Sequence, residues 1–414
     1  MATAPYNHGV RVFDAGETER PIEAANLSPI GVTLPAEDAD PAVFPLDEPV
    51  HFFSNDADKV EALGANNAFR DAVNAIASQG IVASIVGVRV AEGASIDATL
   101  ANIAGSAGSM TGVHAMRYAR GHTGVEPGLL ISPGFTSQRI ADAKNPVMAA
   151  AEGVASALKA IAIGDCPGTT KEAAFAYAAD FSSRYVYLME PGVRVLDATG
   201  AIIVRPASAY AAALFVKRDK QKGGPYWSPS NQGIAGIVGT SRPVTYFDGE
   251  IDHEANYLND HKINTIIPSV TVQSAGGRAA ANGTILWGSE TTSLDQLWRF
   301  VNVVRTRAAI EKAIPPAFRW AMDNNLSVQL GVSIIRSLQI FLDELVAVGA
   351  ILGGRAYWLK EMNSTMNMRG GILRVEFDAE EAPPLNDLQF GSRRNAVYFD
   401  TLSDNILSAL DRAT

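Results

Sequence analysis

The chain reads as an α/β protein organised mainly around a parallel sheet. Two observations lead there. Short runs rich in Val, Ile and Leu alternate with helical stretches of small residues from Pro29 to Met189, and strand, helix, strand, helix in that rhythm implies right-handed βαβ units. The chain has 414 residues, of which 47% are apolar and 19% charged. That material supports a large core and is unlike a disordered chain. At a rough 150 residues per domain the length suggests two or three domains.

Taken in order, Val10 and Val12 alternate with Arg11 and Phe13, a short strand pattern, followed by a Gly, Glu and Pro segment. Residues 1–25 therefore read as an extended arm. Twenty extended residues span about 65 Å, and a compact body of this length is roughly 55 Å across, so such an arm can reach a neighbour. Strands are expected at Ile30–Leu34, Val50–Phe53 and Ile81–Val90, with a helix at Ala65–Ala77. Ser95–Gly124, with His114 and His122, has no clear period. Then follow the strand Leu129–Ser132, the helix Val147–Leu158, the strand Ala160–Asp165, the helix Thr170–Phe181, the strand Arg184–Met189 and an alanine-rich helix Ala207–Val216. Ser293 and Gln296 fit a capping box opening a helix Leu294–Lys312. Pro315–Pro316 ends or kinks that helix, and a short one is expected at Ala317–Asn324. Ile334, Leu338, Phe341, Leu345 and Val348 share one helical face ending at Gly349. Ile372–Phe377 alternates as a strand, Pro383–Pro384 reads as a stiff linker, and Tyr398–Leu410 is amphipathic after Arg393 and Arg394.

Composition excludes several functions. The net charge is -10 without a basic block, which disfavours nucleic-acid binding. Leu330–Gly349, the longest apolar helical stretch, is interrupted by Arg336, Asp343 and Glu344 and does not suit a membrane span. Met1–Val10 lacks a secretory signal pattern. Cys166 is the single cysteine, so no intrachain disulfide or cysteine-built metal site is expected; it reads as a small buried apolar residue. There is no GxxxxGK[ST] phosphate loop, and no cofactor is expected. Pro206–Gly239 joins a helix to a loop of defined backbone path at Gly223, Gly224, Pro225, Pro229 and Asn231, with no His, Cys or acid near its serines.

Several motifs are spaced along most of the chain: Tyr6–Val12, Ala36–Val50, Ser132-Pro133-Gly134, Asp165–Thr170, Trp227–Asn231 with Gly236, Leu258-Asn259 with Ile263–Ile266, and Trp287-Gly288 leading into Thr291, Trp298, Phe300 and Arg305-Thr306. Together they resemble the contractile tail sheath family of myovirus-type phages, in particular the small sheaths of P2-like phages and R-type pyocins. Glu290 stands where that family commonly carries Arg, and Pro268–Thr284 resembles an added surface loop. The resemblance implies a subtilisin-like, mostly parallel α/β domain without protease activity, plus an α+β domain built from N- and C-terminal parts, with extended terminal arms. The expected division is 1–25, arm; 26–125, N-terminal α/β part; 126–290, subtilisin-like domain; 291–382, C-terminal α+β part; 383–414, linker and arm or helix. It implies stacked, hexameric rings around a tail tube, with baseplate and tail terminator proteins as further partners. Such a particle is a virion tail assembled in the bacterial host cytoplasm. Strand exchange between subunits is expected through Val10, Val12, Phe13, Leu388 and Phe390, and contact with the tube through Arg393 and Arg394.

A subtilisin-like hydrolase is the rival reading, and a non-contractile virion protein a third. Gly239-Thr240-Ser241 resembles the setting of a serine nucleophile, but Arg242-Pro243 follows, and none of His8, His51, His114, His122, His253 or His261 sits in a Gly-Thr-His motif. A triad needs a His to take the proton and an acid to orient it. His253 and His261, with Asp252, Glu254 and Asp260, could be drawn as a metal cluster but read better as a solvated loop, and His114 and His122 are a weaker pair still.

Overall fold

Among the described residues, nine strands hydrogen-bond into one sheet. The computed structural model describes residues 22–268 and 283–413. Its strands are β1 (Ile30–Pro35), β2 (Pro49–Phe53), β3 (Ser84–Val90), β4 (Leu129–Ile131), β5 (Ile161–Asp165), β6 (Val186–Met189), β7 (Val193–Leu196), β8 (Ile202–Arg205), β9 (Gln232–Gly233), β10 (Gly239–Thr240), β11 (Ile263–Pro268), β12 (Thr284–Trp287), β13 (Ile351–Tyr357) and β14 (Glu376–Glu381). The large sheet runs β2-β3-β1-β4-β5-β6-β11-β12-β9. Its six central strands, β3 to β11, are parallel, and antiparallel pairings close both edges.

The central strands are buried on both faces, as parallel strands between helices must be. Successive side chains go to opposite cores. Ile161 and Ile163, Tyr187 and Met189, and Leu129 and Ile131 join one cluster with helices Ala68–Ala77 and Ser208–Lys222. Ala162, Val186, Leu188 and Leu130 join another with helices Pro146–Leu158 and Lys171–Ala178. Gly87 in β3 lets the Phe69 ring approach: a Cβ there would lie 2.5 Å from Phe69 Cζ.

A third core gathers the helices Val301–Ala317 and Val328–Ala347, the antiparallel hairpin β13–β14, and Ile22, Leu27 and Tyr226. Among the described residues, the N-terminal contribution to this second layer is the strap around Ile22–Leu27. The runs β1–β3, expected within an N-terminal part, pair into the large sheet. Residues Met1–Pro383 cluster as one unit and Pro384–Thr414 as another. The latter contains the helix Val397–Asp411, which buries no residue.

Four local expectations change. The capping box at Ser293 does not form. Ser293 Oγ bonds within its own turn to Asp295, and residues 289–301 fold back as a bridge between Glu290 and Phe300. That pairing keeps Arg299 and Phe300 out of a helix, so it starts only at Val301. It runs through Pro315 and Pro316 to Ala317. Ala317–Asn324 holds only a 3-10 turn, Arg319–Ala321. The strand expected at Ile372 begins at Glu376, because the Asn363 side chain takes both backbone groups of Arg374. β13, at Gly-rich Ile351–Tyr357, was not expected: two glycines and an arginine break the apolar alternation.

Candidate functional site

The hydrolase reading finds no assembled nucleophile among the described residues. Ser241 follows β10, its amide donates to the Gly192 carbonyl at 2.8 Å, and its Oγ is buried without a hydrogen-bond partner. Arg242 beside it donates to the buried Glu190 at 3.0 Å and to Glu254. His253 caps the helix Glu254–Asp260, its Nδ1 accepting from the Asn256 amide at 3.1 Å. His261 stacks on Phe175 at 3.7 Å. His51 Nε2 lies 2.9 Å from Ser84 Oγ, but the charged neighbour there is Lys59, which, after burial, lowers the His51 pKa. The Lys59 ammonium also covers the His51 carbonyl at 2.7 Å. His114 is half-buried, its pKa lowered by burial and by Arg117. His8 lies outside the described residues. No group of three His, Cys, Asp or Glu side chains suited to a metal occurs among the described residues.

The crevice at the carboxyl ends of the parallel strands, where α/β folds commonly bind ligands, is filled by the chain itself. Asp165 ends β5 and caps the helix Ser208–Lys222: its carboxylate accepts from the Ser208 amide at 2.8 Å and from Ser208 Oγ at 2.5 Å. Thr136 Oγ1 accepts from the Asp165 amide at 3.0 Å. Burial raises the Asp165 pKa against these bonds. Ser208 is fully buried. Glu190 accepts from the Gly168 amide at 3.0 Å, and burial raises its pKa too. Burial, then Glu190 and Asp165, pushes the Cys166 thiol well up, which keeps it protonated.

The Trp227–Asn231 loop braces its own domain. Arg218 holds the carbonyls of Ser228 and Ser230 at 3.0 and 2.9 Å. Ser230 Oγ accepts from the Gly288 amide at 3.0 Å, and the Asn231 amide donates to the Leu286 carbonyl at 2.7 Å. Gln232 spans Leu214 and Pro229. Asn231 holds a positive φ of 58°, which Asn tolerates better than most residues. Glu290 is buried and pairs with Arg299 at 2.7 Å and Lys262 at 3.5 Å, so the reversed charge at this turn has its own cations.

Sequence reasoning missed the buried pair that ties the strap to the body. Arg305 grips Asp219 through two bonds, 2.8 and 2.6 Å, and donates to the Leu27 carbonyl at 3.2 Å. Ser28 Oγ donates to Asp219 at 2.8 Å. Arg305-Thr306 was noticed only as a motif; a partner 86 residues away leaves no local signal.

The residues expected to assemble are placed as follows. Val10, Val12 and Phe13 lie outside the described residues, as does most of the loop expected at 268–284. Leu388 and Phe390 are exposed in a stretch of the C-terminal unit that pairs with no strand among the described residues. Arg393 and Arg394 precede the helix Val397–Asp411 and make no salt bridge among the described residues. Among the described residues, the hairpin β13–β14 is a sheet of two strands. No described helix is long and apolar enough to cross a membrane.

Residues 108–273 match the family model "Phage tail sheath protein central domain". A putative prophage major tail sheath protein of Pseudomonas aeruginosa strain UCBPP-PA14 is 34% identical over 389 residues, covering 92% of this chain and 95% of the relative. The tail sheath protein of Escherichia phage P2 is 28% identical, covering 97% of this chain and 99% of its own. Among solved structures, the sheath complex of an extracellular contractile injection system in its contracted state aligns with a TM-score of 0.67 at 15% identity, covering 96% of this chain and 99% of that one. The contracted helical sheath of the anti-feeding prophage aligns at 0.66 and 18%, covering 95% and 100%. With full-length similarity at 34% identity and a fold shared with two sheaths, the chain belongs to the phage tail sheath protein family.

Proposed function

We propose that this chain is the structural subunit of a contractile tail sheath. It polymerises as stacked, hexameric rings around a tail tube and contracts to drive the tube through a host envelope. The observation that carries the reading is the hairpin β13–β14, which pairs with no further strand among the described residues and packs on the helix Val328–Ala347. Two strands alone make a marginal sheet, and added strands from neighbouring copies would complete it by β-augmentation. The donors are the arm with Val10, Val12 and Phe13, and the stretch with Leu388 and Phe390. Head-to-tail exchange that does not close on itself generates helical filaments.

The energy of contraction then resides in subunit packing. The extended lattice is metastable, the contracted one lower in free energy, and a baseplate trigger spreads ring to ring as a rigid-body change between two packings. The arms keep the network connected meanwhile. Arg393 and Arg394 face an acidic tube surface, and baseplate and tail terminator proteins bound the assembly, which forms in the host cytoplasm as part of a phage or headless particle. The division at 25, 125, 290 and 382, with residues 126–290 as a subtilisin-like domain stripped of catalysis, belongs to the same reading. Electron microscopy of the purified protein tests it. Tubes or contracted cylinders are expected, and monomers with peptidase activity would replace it with the hydrolase. Removing residues 1–20 should leave a folded monomer that no longer polymerises, and normal sheaths from that deletion would refute the arm's role. Charge reversal at Arg393 and Arg394 should abolish co-assembly with the tube, and intact co-assembly would remove them from that contact.

A further inference from the structure

The hairpin that would accept a neighbour's strand is not bare at its edges. In β13 the Ala356 amide donates to Gln339 Oε1 at 2.9 Å, and Gln339 Nε2 donates to the Gly354 carbonyl at 3.2 Å. An amide spent on Gln339 is not spent on β14. Gly354 and Ala356 are two apart, so their backbone groups point to the same edge of the strand, the edge away from β14. One side-chain amide, a donor and an acceptor on one planar group, thus satisfies that edge as a short strand would. Asp343, one helical turn on, accepts from Gln339 Nε2 at 2.8 Å and fixes its direction. Across the same rung, Gly354 faces Ala379 in β14. The Ala379 carbonyl is taken by Arg307 Nη2 at 2.7 Å, while Arg307 Nε holds Glu381 at 2.5 Å. Both edges are capped at one level by side chains from helices of the body.

We propose that Gln339 is a guard on the strand-accepting edge. It protects β13 from premature pairing in the free subunit, and an extended segment of a second copy displaces it on assembly. Open strand edges invite uncontrolled pairing, and proteins commonly blunt them; here the blunting group is reversible, since Gln339 is only half-buried and can swing out. The proposal rests on the strand-exchange reading above for the identity of the incoming strand, and adds how that exchange is held back.

The full chain carrying Gln339→Leu, and separately Asp343→Ala, serves as the test, with two readouts. In the free subunit, hydrogen exchange of the Ala356 amide should speed up at least tenfold in Gln339→Leu and by less in Asp343→Ala, with β4 and β5 unchanged. In light scattering without tube or baseplate, the lag before polymerisation should shorten several-fold in the same order. Unchanged exchange at Ala356 shows that Gln339 does not guard the edge. Faster exchange with an unchanged or longer lag removes its role in assembly. A wild-type chain that never polymerises sinks the sheath reading and the regulatory role together, and the exchange result then shows separately whether the cap itself exists.

Discussion

Replacing Asp165 by alanine separates a structural carboxylate from a catalytic one. The side chain is buried at the end of β5 and, among the described residues, is the side chain that caps the helix Ser208–Lys222, whose own N-cap residue, Ala207, makes no side-chain bond. Losing an N-cap costs about 1 kcal/mol. The Ser208 hydroxyl, now buried without its partner, adds about 1–3 kcal/mol. A total near 3 kcal/mol follows from these two, visible as a lower urea midpoint with an unchanged slope. Asp165→Asn is the control. Its Oδ1 can still accept from the Ser208 amide, and the Ser208 hydroxyl can turn to accept from the new NH2. That variant should lose little at neutral pH. The pH dependence follows from the raised pKa of Asp165. A carboxyl raised in the folded state contributes stability below its unfolded pKa, and that contribution fades as pH rises through the folded one. Wild type should therefore gain on Asp165→Asn as the pH is lowered into the carboxylate range. Equilibrium urea unfolding followed by tryptophan fluorescence at several pH values reads both effects. An Asp165→Ala chain as stable as wild type would refute the cap, and one that is stable yet loses a measured hydrolysis would restore the catalytic reading.

Three further outcomes follow from the same geometry. Asp219→Ala leaves Arg305 buried without its carboxylate, which should cost about 3–5 kcal/mol and expose the strap at Ile22–Ser28 to proteolysis; an unchanged cleavage rate there would mean the strap is held by other contacts. Gly87→Ala puts a methyl group 2.5 Å from Phe69 Cζ, and overpacking of this kind costs about 1–3 kcal/mol, read as a fall in Tm that Phe69→Leu in the same chain should partly restore. Tyr226, pushed up to about 12 by burial and then by Asp219, should remain a phenol while the unfolded chain's tyrosine ionises near pH 10, so stability falls between pH 10 and 12; ultraviolet titration showing every tyrosine ionised near 10 would overturn this.

The sequence was legible where structure follows from local pattern. β1, β4 and β5 and the helices ending at Leu158 and Ala347 sit where apolar periodicity put them, because fully buried parallel strands and amphipathic helices write their burial into consecutive residues, and the edge strand β2 was legible from its short Val and Phe run. It was opaque where one distant group settles the backbone. Nothing near Ile372 says that Asn363 will take the backbone of Arg374 and delay β14, and nothing near Ser293 says that Glu290 will pair with Phe300 and move a helix start to Val301. The site divides the same way. Missing Gly-Thr-His motifs argued against a triad from the sequence alone, whereas the capping of Asp165 on Ser208 joins residues 43 apart.

The same distinction bears on how a sheath subunit could be both stable and able to exchange strands in the way proposed above. Several polar groups of the body are bonded deep inside: Asp165 to the start of the helix Ser208–Lys222, Arg305 to Asp219 between two helices, Glu190 to Arg242. Removing one of those partners leaves an unpaired buried charge or dipole, so the body should move as a rigid piece. At β13 and β14 the bonds to Gln339 and Arg307 are half-exposed and can be replaced by water or by a strand at little net cost. Rigid interior bonding with exchangeable edge bonding is the combination that the proposed rigid-body motion in a strand-connected lattice would require, and the described residues carry both in one chain.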